Sequence, residues 1–191
     1  MRLWLLLCGV ALAQGTPGNA PLSYEALQKA PVGSWAEYDM MVGTQKGTTM
    51  RYALVEKSAK ALAIEIETLV PPLVMRMDFS AAPSGDGWNL SRVRMRADTG
   101  RVSDVPVPGN AGPLIKKGGS FGTPMGAETL KTPAGSYDCK HYQQASEEQG
   151  KTQVWISEKA LPVGLVQTIV SALSAKITLV AVGTGASPKI K

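Results

Sequence analysis

Residues 61–80 read ALAIEIETLVPPLVMRMDFS, and the alternation inside this stretch decides the fold. Leu62, Ile64 and Ile66 alternate with Ala63, Glu65 and Glu67. Beyond the Pro71-Pro72 break, Leu73, Met75, Met77 and Phe79 alternate with Val74, Arg76 and Asp78. Successive side chains on a strand point to opposite faces, so a sustained period of two marks a strand buried on one side. Two prolines between such runs interrupt the hydrogen-bond ladder and place a turn there. The stretch is therefore a strand, a turn and a strand, with one apolar face and one charged face.

The same period extends outward in both directions. Upstream, Ala36, Tyr38 and Met40 alternate with Glu37 and Asp39, and Met50, Tyr52 and Leu54 alternate with Arg51 and Ala53. Downstream, Ser84-Gly85-Asp86-Gly87 forms a turn into a longer strand over residues 88–97. Val93 and Met95 face inward there, while Arg92, Arg94 and Arg96 face out. Trp88 and Leu90 share the parity of the arginines, which predicts a bulge near Ser91. Five strands joined by short polar turns make an antiparallel meander.

Residues 99–126 are rich in Gly and Pro, and Pro106 between Val105 and Val107 permits at most an edge strand. A segment this long in a compact domain is usually a functional loop or a disordered one. Regular structure returns as a hairpin of residues 128–132 and 137–143 around Pro133-Ala134-Gly135, then a strand at 152–157. Residues 165–170 suit a short helix by apolar spacing and a strand by their β-branched content. A last strand covers 176–182. The reading is mainly β: a curved antiparallel sheet of about nine to ten strands forming a half-barrel or barrel. At most one short N-terminal helix, residues 23–30, is expected, capped by Ser23 and stopped by Pro31.

The chain starts with Arg2, an apolar run over residues 3–10 and the small-residue site Ala11-Leu12-Ala13, the order of a secretory signal peptide. The run is too short to span a bilayer, which takes ~20 apolar residues. Lipid attachment at Cys8 is disfavoured because Leu7 precedes it. The organisation expected is a signal peptide over 1–13, a leader over 14–32, one domain over 33–186 and a tail over 187–191. The protein is read as periplasmic or secreted. Cys139 is then the sole cysteine left, so no intramolecular disulfide staples the domain. The net charge of +5 is dispersed without basic blocks. It is compatible with an anionic membrane surface, and no basic-aromatic motif points to nucleic acid.

No catalytic constellation is visible, and the chain is read as a non-enzyme without cofactor or metal. His141 is the only histidine, which excludes multi-histidine metal sites. Ser136, Asp138 and His141 are close in sequence, but Asp138 and His141 fall on opposite faces of a strand. Cys139 and His141 share a face, the minimum for a thiolate pair, against a simpler reading of Cys139 as a small buried thiol. VAVGTGA over 180–186 lacks the following helix of a dinucleotide site, and GPLIKKGGS over 112–120 lacks phosphate-loop spacing. Glu65, Glu67, Arg76, Asp78, Arg92, Arg94 and Arg96 read as a solvated ladder whose opposite-charge pairs contribute ~0.2–1 kcal/mol each.

The inward face is more suggestive. Met40, Met50, Met75, Met77 and Met95 fall on it, five of the eight methionines, beside Tyr38, Tyr52, Ile64, Ile66 and Phe79. Methionine is flexible and polarisable, and it recurs on surfaces that accept varied apolar partners as well as in cores. With no long amphipathic helix to cover this face, the sheet must curl on itself, and curled sheets often leave an apolar cavity. These ten residues are the candidate ligand-binding face.

Three segments carry a family resemblance: ETLKTPAGSYDCKHY (128–142), VWISEKALPVGLVQ (154–167) and ITLVAVGTGA (177–186). They resemble the C-terminal half of bacterial exported half-barrel proteins, similar to the lipoprotein-sorting carriers (LolA/LolB-like) and their uncharacterised relatives. The resemblance implies a curved antiparallel sheet that cradles acyl chains or other apolar groups on a greasy concave surface, with no catalytic motif to carry over. The sequence departs from the carriers in showing no clear helices to plug the opening. The expected partner is an apolar small molecule or lipid, or a membrane or lipidated protein. The competing expectation is an envelope scaffold whose apolar face is only its core.

Overall fold

The computed structural model describes residues 22–97, 100–107, 113–146 and 150–190. The expected signal peptide, the cleavage point after Ala13, Cys8 and residues 14–21 of the leader lie outside the described residues. One short helix, α1 (Tyr24–Lys29), precedes β1 (Trp35–Val42), β2 (Gln45–Lys57), β3 (Ala61–Leu69), β4 (Pro72–Ala81) and β5 (Gly87–Ala97). Two short strands follow, β6 (Ser103–Val105) and β7 (Ile115–Lys116). The chain ends its regular structure with β8 (Thr123–Thr132), β9 (Gly135–Ser146), β10 (Gly150–Ile156), β11 (Leu165–Val170) and β12 (Ala175–Gly183).

All twelve strands form one antiparallel sheet in the order β6-β5-β4-β3-β2-β1-β12-β11-β10-β9-β8, with β7 added beside β5. Two meanders are thus welded through β1 and β12, where Trp35 faces Gly183 and Met40 faces Ile177. The sheet is not closed: β6 and β8 are its two edges. It is curved. A flat sheet would hold β8 about 19 Å from β12, four steps of ~4.8 Å, yet their backbones approach within 8 Å. The twelve strands exceed the nine or ten marked in the sequence chiefly through β6 and β7, which are too short to show a period.

The bulge expected near Ser91 is present. Asp78 pairs with Arg92 and Phe79 with Leu90, so Ser91 is the extra residue, and its hydroxyl donates to the Asp78 carbonyl at 2.8 Å. Residues 165–170 are strand, with a further bulge at Val166 between the pairs Trp155–Gln167 and Ile156–Leu165.

Helix α1 covers one end of the half-barrel. The Ser23 hydroxyl caps it by accepting from Ala26 N at 3.3 Å, and Lys57 at the end of β2 donates to the carbonyls of Leu27, Gln28 and Ala30. Those carbonyls have no partner within a helix, and a cation also complements the negative end of the helix dipole. Ala26 and Leu27 are fully buried, joining a core that includes Tyr38, Leu54, Ile64 and Leu179. The helix seats on Gly164, whose φ of +84° suits glycine and where a Cβ would lie 2.6 Å from Ser23 Cβ.

One expectation is corrected on the outer face. Glu65 and Arg76, expected in water, are buried, as are Ala53 and Val55 of β2. The cause is residues 184–190, which leave β12 and fold back across β2, β3 and β4 as a strap. Ala186 N donates to Gly33 O at 2.9 Å and packs with Trp35 against Ala53, Val55 and Ala63.

Candidate functional site

The backbone pairing brings nine of the ten candidate residues into neighbouring rows, while Met40 lies opposite Ile177 of β12. Tyr38 faces Met50. Ala36 and Tyr52 are opposite, Tyr52 faces Ile66, Ile66 faces Met75 and Met75 faces Met95, a ladder across five strands. The next row runs Leu54, Ile64, Met77, Val93 and Val105, and beyond it Leu62 and Phe79 are opposite.

Burial divides the ten into a floor and a shelf. Tyr38, Met40, Ile64, Met77 and Phe79 are buried to 6% exposure or less. Met50, Tyr52, Ile66 and Met75 are half-buried, and Met95 is 36% exposed. Tyr38, Ile64, Met77 and Phe79 of this floor are filled core, in one cluster with Leu27 of α1 and with half-buried Val105 and Val107 packed against it. Exposure is greatest at the β5 end of the row, at Met95. Tyr52, Ile66 and Met75 pack against the core and remain partly exposed.

Polar groups on this face are spent on structure. The Tyr38 hydroxyl donates to Leu165 O at 2.8 Å, and its ring meets that of Tyr52 edge-on with centroids 5.5 Å apart. Full burial, with Tyr52 and Tyr137 close by, pushes the Tyr38 hydroxyl well above its ordinary pKa and keeps it a donor. Ile66, Met75 and Met95, the rest of the ladder beside Tyr52, carry apolar side chains.

The residues weighed for catalysis form a different arrangement on β8, β9 and β10. His141 stacks on Trp155, ring centroids 4.3 Å apart and planes 10° from parallel. Its Nε2 lies 3.1 Å from Gln153 Oε1 and its Nδ1 3.4 Å from Glu128 Oε1, which also accepts from Trp155 Nε1 at 2.6 Å. Cys139 is buried, its thiol 3.3 Å from Tyr137 O. Burial pushes the thiol pKa up to about 11, and nearby Glu128 and Asp138 act in the same direction. A buried protonated thiol is a poor nucleophile. Among the described residues no group of three or more His, Cys, Asp or Glu is placed to hold a metal.

Two cavities lie elsewhere, and none of the ten candidates lines either. The larger, about 570 Å³, sits between α1, the segment around Gly118 and Phe121, and the β9–β10 region. Lys29, Lys140 and Lys159 are offset there by Glu25, Asp138 and Glu158, so it has no net preference for one sign of charge. The smaller, about 220 Å³, lies under the strap and is lined by Arg51, Glu65, Glu67, Val74 and Ser187 among others. Sequence periodicity could not reveal the strap, because a segment crossing strands on their outer face leaves no alternation of its own.

No family model and no curated protein matches the chain. Among solved structures, a "putative lipoprotein" from Parabacteroides distasonis is similar at a TM-score of 0.43 and 11% identity, over 89% of this chain and 100% of that one. The hypothetical protein CT021 from Chlamydia trachomatis is similar at a TM-score of 0.46 and 10% identity, over 86% of this chain and 93% of that one. Both are likenesses of backbone course, without residue correspondence.

Proposed function

We propose that this protein is a non-catalytic, extracytoplasmic binding protein for an apolar ligand, a lipid or the acyl group of a lipidated partner, held on the concave shelf. The observation that carries this reading is the partly uncovered ladder Tyr52–Ile66–Met75–Met95, backed by a rigid floor. Three steps between strands make it about 14 Å wide. A linear hydrocarbon laid there gains ~0.8 kcal/mol for each CH₂ fully removed from water. Met75 and Met95 can adjust their rotamers to such a chain at little cost. The signal-like start and the resemblance to lipoprotein-sorting carriers support export and an apolar cargo.

Mass spectrometry of organic extracts from protein purified out of its native envelope tests this directly. One lipid class in near-stoichiometric amount is the expected result, and its absence together with failure to bind any added lipid contradicts it. The five buried candidates favour a second reading, a scaffold whose apolar face is core and nothing more. That reading forecasts no saturable lipid binding by the folded protein.

A further inference from the structure

The strap is held in a manner unlike the rest of the fold. Lys189 N donates to both Glu65 carboxylate oxygens, at 3.1 and 2.8 Å, and Ile190 N donates to Oε1 at 2.9 Å. Arg76 Nη1 donates to Ile190 O at 3.0 Å, and Arg96 Nη1 donates to Lys189 O at 2.9 Å. Every one of these bonds engages the backbone of residues 189 and 190, so the sheet holds the main chain at two successive positions, bent at Lys189 so that both N–H groups meet one carboxylate. Side chains add selectivity: Lys189 Nζ pairs with Glu67, and the Ile190 side chain is fully buried. Arg76 is fixed for this task, its Nε on Asp78 at 2.7 Å and its Nη2 on Glu56 at 2.8 Å.

The surface under the strap is suited to being uncovered. With Ala186 still bonded to Gly33 O and packed on Ala53, Val55 and Ala63, departure of residues 187–190 uncovers chiefly the charged Glu65, Glu67 and Arg76, which water solvates again, together with Val74 and Ile190. Thr184, Gly185, Ser187, Pro188 and Lys189 are exposed, and the strap arches over the 220 Å³ cavity without filling it. Backbone recognition by a carboxylate and two guanidinium groups, beside a pocket for one aliphatic side chain, is the anatomy of a peptide site.

We infer that the outer face of β3, β4 and β5, centred on Glu65, Arg76 and Arg96, is a peptide-binding site that residues 187–190 occupy in cis. Its ligand class is a peptide segment that bends at a lysine followed by an aliphatic residue. Tethering gives the strap an effective concentration on the order of millimolar. A peptide from a partner gains the site when the strap is released or when the peptide fills the cavity better.

The test uses the full chain and the blocked peptide Ala-Ser-Pro-Lys-Ile. Ile190→Asp expels the aliphatic anchor, and Lys189→Pro removes one N–H that Glu65 accepts while leaving every strand residue in place. Each released variant is expected to stay folded and bind the peptide saturably, with the wild type weaker by about tenfold or more. Adding Glu65→Ala should abolish binding. In the wild type, the amides of Lys189 and Ile190 should exchange with solvent faster than those of Ile64 and Met77. The proposal is overturned if neither variant folds, if the folded variants bind no peptide, if binding survives Glu65→Ala, or if the strap amides exchange only with the core.

Discussion

Met77 and Met75 sit two residues apart on the same face of β4, and their different depth is the pivot of the functional reading. Met77 is 3% exposed, so Met77→Glu should unfold the domain by several kcal/mol, while the nearly isosteric Met77→Leu should cost under ~1.5 kcal/mol. Denaturant midpoints at constant m-value check both. Met75 and Met95 are uncovered enough to take a polar group without unfolding, which makes them the informative positions for binding. Cys139 gives a pH-dependent prediction. Its pKa of about 11 in the folded chain exceeds the value near 8.5 of a free thiol, so the native state favours the protonated form. The resulting stability is fully present below pH 8.5 and is lost as pH rises towards 11. Cys139→Ala should flatten that part of an alkaline stability profile, and thiol titration at pH 8 should be slow until denaturant is added. At this scale the sequence was legible in direction and silent on depth. Alternation placed Tyr38, Ile66 and Met95 on one face, but depth depends on α1 and on residues 105–107, brought in from elsewhere in the chain. Glu65 and Arg76 show the same limit on the opposite face, where a distant strap turned exposed positions into buried ones.

Elements were legible wherever the period of two survived. β1 to β5 and the extra residue at Ser91 follow from parity alone, since two side chains out of phase with their strand demand a bulge. β11 was ambiguous for the same physical reason. The bulge at Val166 places Leu165 and Val166 both in the core, followed by buried Thr168, and that spacing imitates a helix. β6 and β7 run for three and two residues, too short for any period to register. α1 was marked by Ser23 and Pro31, but its place across the half-barrel end rests on Gly164. Gly164→Ala would set a Cβ 2.6 Å from Ser23 Cβ at a φ of +84°, so the helix must lift. The expected loss is about 1–3 kcal/mol, read as a fall of ~2–4 °C in melting temperature per kcal/mol. An unchanged melting temperature would mean that α1 contributes nothing as a plug.

At the scale of the molecule, the welding of two meanders through β1 and β12 joins residues about 140 positions apart, a pairing that local pattern cannot encode. The half-barrel nonetheless follows from one deduction: a long sheet with a single apolar face and no helix large enough to cover it has to curl. The curl is complete enough to bury the floor and open enough to leave the shelf from Tyr52 to Met95. The proposed function requires that shelf to accept hydrocarbon. The most direct measurement is titration of a fluorescent fatty-acid analogue into the wild type, Met95→Glu and Met95→Leu, each first shown to melt cooperatively. Saturable binding, displaced by lipid extract, is expected of the wild type and Met95→Leu, with a loss of tenfold or more, about 1.4 kcal/mol, in Met95→Glu. Folded wild-type protein that binds no probe, or a Met95→Glu variant that binds as well as wild type, would contradict the proposed function.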